Sequence, residues 1–381
     1  MKNINALFFS ALLLAPALSR ADISALVAVE PTSRQDAFLL SRSGLESSLG
    51  GAVSQAVSVS KSEDLADAMR ATRSAEYDVF IAPAQVAASA LLRGYELIGA
   101  TDSAEQFVLV GRKRLASLQD VRGAKLYLPQ QDSIYTYMAR GMLNASGLSL
   151  KDTLVQHERY PQAGLTALMI GTSDATVVRR SDWEAWNKDN PGVGKVLASS
   201  GSVPGGFSVV VKKVLPADIR SRLAKWFTTS AGVAGLKPVT LKPESGEYKA
   251  VAELGLFTPT HLPGAKLVTA ADVRQLLAQG AVLVDTRTEK EYKAKRVPQA
   301  VFVPYVEKSL KDVAFDASQD SFTGLDKLDK NKPTIFACNG AECWKSYKAS
   351  KMATQKGFRQ VYWFRGGLPE WEVAGLEVAS N

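Results

Sequence analysis

Short apolar runs alternate with stretches of helical spacing along most of the chain, and the order of the two predicts its architecture. Ile23 to Val29 reads as a buried strand, and Asp36 to Leu49 as a helix with Asp36 as its N-cap. Ala52 to Val59 is strand-like, and Ser62 is placed to cap a helix running towards Ser74. Tyr77 to Ala82 is a short apolar run stopped by Pro83, with a helix after it. This β-α-β-α order predicts a parallel sheet with helices on both faces. A second set follows: a strand ending at Leu109-Val110, a short helix from Ser117 to Gly123, and a strand from Ala124 to Leu128. Pro129 to Thr136 reads as a polar turn, Tyr137 to Ser146 as a helix, and Gly171 to Asp174 as a turn before the apolar run Ala175 to Val178. Val209 to Val211 is a last strand, and a helix opening at Leu215 to Asp218 ends near Ser230.

The pattern then changes. Thr258-Pro259-Thr260-His261-Leu262-Pro263-Gly264 has the turn chemistry of a linker, which sets the boundaries at a first domain over 22–258, a linker over 259–263 and a second domain over 264–381. In the second domain a helix from Asp272 to Leu277 precedes a buried strand, Ala281 to Val284. A charged insertion, Lys308 to Lys332, reads as solvated. The strand Thr334 to Ala337 runs into Cys338, a glycine-bearing turn follows, and Ser346 to Lys356 reads as a helix. Val361 to Phe364 is a strand, and Arg365 to Trp371 closes the pattern.

Residues 1–21 stand apart. A basic start at Lys2, an apolar run from Ala6 to Leu18 and the small residues of Ser19-Arg20-Ala21 have the form of a secretory signal peptide cleaved before Asp22. No cysteine follows the run to carry a lipid, and no later run reaches the roughly 18 apolar residues a spanning helix needs. The expected location is the periplasm. Composition is that of an ordinary globular protein, with 46% hydrophobic and 22% charged residues in 381, a length that predicts two or three domains. The formal charge of +8 is spread along the chain with no basic-aromatic cluster, which argues against nucleic acid and suits a small anionic ligand.

The first domain resembles the phosphate/phosphonate type of periplasmic solute-binding protein (type 2 fold). Tyr77-Asp78-Val79 with Pro83, Ser117-Leu118 with Gly123-Ala124-Lys125, Asp132-Ser133 with Thr136, Gly171 with Asp174-Ala175, and Ser202-Val203-Pro204 carry the likeness by their order. It implies two α/β lobes around a cleft. It also implies a Ser/Thr loop at a helix N-terminus that takes an oxyanion, which here is Ser133 and Thr136, with Asp174 as a further ligand-binding candidate. Val86 and Pro161 stand where phosphonate binders usually carry Tyr and His, so phosphonate specificity is not carried over. His157 lies near but off that register.

The second domain resembles a single rhodanese domain, a smaller α/β unit with a central parallel sheet. Asp285, Arg287, Glu291-Tyr292, Pro298, Ala300, the loop at Cys338, Gly357-Phe358, Val361-Tyr362, Gly366-Gly367 and Trp371 carry it. The resemblance implies sulfur transfer: a thiolate takes a sulfane sulfur from a thiosulfate-type donor as a persulfide and passes it to a thiol acceptor. Cys338 then stands in the nucleophile's place, in a loop of Asn339, Gly340, Ala341 and Glu342 before a helix N-terminus, where a thiolate is stabilised. Cys343 stands where the family has Arg, and Lys345-Ser346 are the substitutes for the displaced Arg-Ser. Cys343 has three roles open to it: resolving thiol, disulfide partner or bystander. Asp285, Arg287 and Glu291 are expected to be structural, with Arg287 and Glu291 spaced for an ion pair. Trp344 is placed to wall a pocket or pack on the first domain, and Trp363 and Trp371 to lie in the core.

With only two cysteines and two histidines, a zinc site is not expected, and no cofactor is implied. The expectation is an exported sulfurtransferase with a small-anion-binding domain, partnered by a sulfur donor, a thiol acceptor and a membrane transporter or redox protein. Two alternatives stand beside it: a non-catalytic binding or sensor protein with a degenerate rhodanese domain, and a thiol-disulfide protein using Cys338 and Cys343.

Overall fold

The computed structural model describes residues 22–31, 41–229 and 245–380. Three five-stranded sheets organise it. The first sheet receives β1 (Ile23–Ala28), α1 (Arg42–Val53), β2 (Val57–Ser62), α2 (Leu65–Arg73), β3 (Val79–Ala82), α3 (Ala84–Leu91) and β4 (Tyr95–Glu105). The chain then crosses to a second sheet through β5 (Phe107–Arg112), β6 (Lys125–Leu128), α4 (Ile134–Asn144), β7 (Leu154–His157), α5 (Ala163–Ile170), β8 (Ala175–Arg179), α6 (Arg180–Asp189) and β9 (Gly194–Ser199). It returns by β10 (Val203–Lys212), α7 (Ala217–Thr229) and α8 (Ser245–Glu253). The strand orders are β2-β1-β3-β10-β4 and β7-β6-β8-β5-β9, two lobes joined by two crossings.

Alternation within the strands builds the cores. In β1, Ile23, Ala25 and Val27 pack on one face with Leu45 and Leu49 of α1, while Leu26 and Ala28 pack on the other with Phe80 and Leu65. Such burial on both faces is why the strand reads as a continuous apolar run.

The third sheet is wholly parallel. It takes β11 (Ala265–Leu267), α9 (Ala270–Ala278), β12 (Val282–Asp285), α10 (Glu289–Ala294), β13 (Val301–Phe302), β14 (Thr334–Ala337), α11 (Trp344–Gln355), β15 (Val361–Phe364) and α12 (Gly367–Val373), in the order β11-β15-β14-β12-β13. Leu283, Ile335 and Phe364 face α9 and α12, and Val284, Phe336 and Val361 face α11. Trp363 and Trp371 are buried.

Several local expectations are corrected. The first two sheets are mixed, because β10 runs antiparallel to β3 and β4, and β5 antiparallel to β8 and β9. The first helix begins at Arg42 behind the cap Ser41 and runs through Ala52 and Val53, so β2 starts only at Val57. The expected N-cap Asp36 lies outside the described residues, as do residues 1–21. Asp64 caps α2, whereas Ser62 ends β2. Helix α4 starts at Ile134, which puts Thr136 inside it and not in a preceding turn. The charged stretch 308–332 is not simply solvated: Ser309, Lys311, Phe322 and Leu325 are buried, with Phe322 and Leu325 packed against Phe336 in the core.

Candidate functional site

Cys338 follows β14 at the carboxyl end of the parallel sheet, and Cys343 is the N-cap residue of α11. The two sulfurs are joined in a disulfide, with the Cα atoms 6.3 Å apart. Gly340, at φ 92°, lets the four residues between them curl. The loop is held from behind by the turn after β15. There Leu368 N–H donates to the Cys338 carbonyl at 3.0 Å, and a Cβ on Gly367 would stand 2.0 Å from that oxygen. A paired glycine after β15 is therefore what allows the turn to lie against the cysteine loop.

On the other side Asn339 Nδ2 donates to Glu291 Oε1 at 2.6 Å, and Asn339 Oδ1 accepts from Arg287 Nη1 at 3.4 Å. Arg287 is paired with Asp285 at 2.6 Å, not with Glu291 as its spacing had suggested. Arg287 precedes α10, so helical i,i+4 geometry does not apply. Glu291 instead folds back to accept from the Thr288 hydroxyl and amide in a capping box. Burial alone would raise the Glu291 carboxyl, but the Thr288 hydrogen bonds and the Arg70 charge outweigh it and hold it below its ordinary value. Asp285, Arg287 and Glu291 thus brace the loop. Ser346, fully enclosed, accepts from Trp363 Nε1 at 3.1 Å and serves packing.

The first domain grips the same loop. Thr258 donates its N–H and its hydroxyl to the Ala341 carbonyl, at 2.8 and 2.7 Å. Trp344 Nε1 donates to the Leu256 carbonyl at 2.9 Å, and Arg93 forms an ion pair with Glu342. Farther out, Lys311 meets Asp132 at 2.5 Å and Lys290 meets Glu76 at 2.5 Å. A cavity of about 340 Å³ lies between the domains, with Cys343, Lys345 and Asn339 on one wall and Arg70 and Arg73 of α2 on the other. Cys343 lines this cavity and Cys338 does not; Cys338 is 1% exposed. Burial pushes the Lys345 amine below its ordinary value, against the pull of Glu291 and Glu307.

The cleft between the lobes has a different character. Ser133 caps α4, and its hydroxyl donates to Glu30 Oε2 at 2.8 Å. Glu30 Oε1 accepts from Ile134 N–H at 2.7 Å and from Gln85 Nε2 at 2.8 Å. The chain's own carboxylate therefore sits on the helix N-terminus, where the dipole and free amides favour negative charge. Burial raises the Glu30 carboxyl above its ordinary value, only partly offset by the Ile134, Ser133 and Gln85 hydrogen bonds and the Arg179 charge. The Thr136 hydroxyl turns away, donating to the Gln130 carbonyl at 2.9 Å. Asp174 is not brought to this place. It precedes β8 beside Lys125 at the start of β6, bonded to Arg114 at 2.5 Å and the Lys125 amide at 3.0 Å, whereas Ser133 follows the other end of β6. His157 donates through Nδ1–H to the Pro129 carbonyl at 2.6 Å, and burial lowers its pKa.

Glu30, Gln85, Arg179, Arg70 and Arg73 were not singled out from the sequence. Glu30 carried a usable signal, a charged residue just past the carboxyl end of a parallel strand, where α/β proteins place their ligands. Arg70 and Arg73 carried none, since nothing local to α2 says that it faces the cysteine loop.

Comparison with known families matches each part. Residues 27–241, more than half of the chain, match the model described as ABC transporter, phosphonate, periplasmic substrate-binding protein, and residues 269–374 match the rhodanese-like domain. Solved structures to which the chain shows a likeness include PhnD1 from Prochlorococcus marinus (MIT 9301), solved with methylphosphonate, at 16% identity over 61% of this chain and 97% of that one, TM-score 0.48. Another is a binding protein component of an ABC phosphonate transporter from Pseudomonas aeruginosa, at 14% identity over 56% of this chain and 76% of that one, TM-score 0.42. Among curated proteins, the HTH-type transcriptional regulator Rv0324 of Mycobacterium tuberculosis (strain ATCC 25618 / H37Rv) is 30% identical over 112 residues, 29% of this chain and 43% of the regulator. The chain thus spans less than half the length of that relative. With an α/β fold of two lobes and a third, parallel sheet carrying the cysteine loop, the chain belongs to the phosphonate-type periplasmic substrate-binding protein family and carries a rhodanese-like domain behind it.

Proposed function

We propose that the protein is an exported sulfurtransferase in which Cys338 accepts sulfane sulfur and Cys343 resolves the persulfide. The observation that carries this reading is the bonded Cys338–Cys343 pair at a strand end, at the N-terminus of a helix and against a cavity that Arg70, Arg73 and Lys345 help to line. In the first step the Cys338 thiolate attacks the outer sulfur of a thiosulfate-type donor. A Cys338 S–S bond forms, the donor's S–S bond breaks, and sulfite leaves with the electron pair. In the second step the Cys343 thiol attacks the inner sulfur of the Cys338 persulfide. The disulfide forms, and the terminal sulfur leaves as hydrosulfide, taking the Cys343 proton. An external thiol acceptor can take the sulfur in place of Cys343.

The disulfide so formed must be reopened by a thiol reductant supplied from outside. Its thiolate meets Cys343 first, because Cys343 lines the cavity and Cys338 lies behind it. Attack at Cys343 makes a mixed disulfide there and releases Cys338 as the thiolate, at the helix N-terminus that favours it. A second reductant thiol then frees Cys343. An oxidising compartment, consistent with the leader-like residues 1–21 and the periplasmic family, suits a resting disulfide.

The test is persulfide mapping by mass spectrometry on reduced Cys343→Ser protein treated with thiosulfate. One added sulfur on Cys338 is the expected result. No added sulfur would count against transfer and favour a binding or sensor role for the domain.

A further inference from the structure

The cavity beside Cys343 is built by two domains, and its charges can be accounted for residue by residue. Arg70 is committed: it contacts Asp67 at 2.8 Å, Glu76 at 2.8 Å and Glu291 at 3.4 Å. Arg287 is committed to Asp285, and Lys311 to Asp132. Of the other carboxylates on the wall, Glu307 meets Lys348 at 2.7 Å and Asp64 caps α2 through the Asp67 amide at 3.0 Å. Two cations are left over. Among the described residues neither the side chain of Arg73, the last residue of α2, nor that of Lys345, in the first turn of α11, makes an ion pair or hydrogen bond, though Glu291 and Glu307 attract Lys345 from farther off. The Nε of Arg73 is buried without a hydrogen-bond partner, while the residue as a whole lines the cavity. The two face one cavity with Cys343, from opposite domains.

We propose that Arg73 of the first domain and Lys345 of the second together hold the anionic end of a substrate in this cavity, so that the sulfur site of the rhodanese-like domain is completed by the binding-protein domain. The planar guanidinium can take two oxygens of one oxyanion, and the ammonium a third. The arrangement compensates for the loop's own composition, in which Cys343 stands in place of a fixed cation. It also gives the domain contacts a purpose. Thr258, Leu256 and Arg93 fix Ala341, Trp344 and Glu342, and thereby fix the cysteine loop against α2. Only the identity of the anion, a sulfur oxyanion donor, rests on the sulfur-transfer reading; the recognition site itself rests on geometry.

The experiment compares alkylation of the reduced full-length protein by iodoacetate, an anion, and iodoacetamide, its neutral counterpart. Arg73→Gln is expected to slow iodoacetate about tenfold relative to wild type while iodoacetamide stays within about twofold, since only the charged reagent loses its partner. Lys345→Gln should act in the same direction, and Arg73→Lys should recover part of the loss. Equal rates for both reagents in wild type and in Arg73→Gln would overturn the proposal, as would an equal slowing of both, which marks a structural role. Thiosulfate turnover measured on the same proteins separates the two claims. Charge-selective alkylation without turnover leaves the anion site standing and removes the sulfur-donor reading. Turnover that is indifferent to Arg73→Gln, with no charge selectivity, does the reverse.

Discussion

Gly367 shows how one residue type fixes the chemistry of another. Its φ of 57° and the 2.0 Å approach of a hypothetical Cβ to the Cys338 carbonyl leave no room for a side chain. Gly367→Ala is expected to destabilise the protein by at least about 2 kcal/mol, or to push the loop outward, since a left-handed backbone and a backbone clash coincide. Urea unfolding checks the first outcome and faster reduction of the disulfide the second. Cys343 gives a second test at this scale. Because it alone of the pair lines the cavity, a bulky thiol reagent should form its mixed disulfide on Cys343 and leave Cys338 free. Peptide mapping after quenching with acid reads the position, and a mixed disulfide found on Cys338 would contradict the geometry.

At the scale of elements, helix α4 and the end of β1 are tied by Glu30. The sign of its pH effect follows from the direction of its shift. Burial holds the folded carboxyl above its unfolded value, so the folded state binds the extra proton. This contribution to stability is fully present below the ordinary carboxylate range and is lost as pH rises through the raised value. Melting temperature measured against pH should therefore fall less across that interval in Glu30→Gln than in wild type. An unchanged profile would show that Glu30 is not buried as described. The elements themselves were largely legible. Strands buried on both faces, such as β1, β3 and β14, announced themselves as apolar runs, and Pro83 and Gly357 marked where strands and helices stop. Boundaries failed where cap-type residues crowd together, since Asp64 and not Ser62 caps α2, and where the glycines of α1 hid its last turn. The antiparallel strands β4 and β9, with β10 extending well before Val209, were hard to read because crossing strands between lobes carry mixed, partly exposed sequences.

For the whole molecule, the sequence predicts two domains but not the contacts that tie them together at the cysteine loop. Contacts such as Arg93 with Glu342 and Lys311 with Asp132 join positions with no local signature, and only the folded chain brings them together. The Lys311–Asp132 pair is buried on both sides, so Lys311→Met leaves an uncompensated carboxylate and should cost about 3–5 kcal/mol of domain docking. Calorimetry is expected to show one unfolding transition in wild type separating into two in the variant. The cysteine loop, which the chain's order made conspicuous, is thus a shared structure of both domains. Its proposed chemistry is tested most directly by a single turnover. Reduced protein mixed with excess thiosulfate, with no external thiol, should release one hydrosulfide per chain and end with Cys338 and Cys343 joined, while Cys343→Ser should release none and keep its added sulfur. Closure of the disulfide without hydrosulfide, or hydrosulfide from the Cys338→Ser protein, would contradict the account.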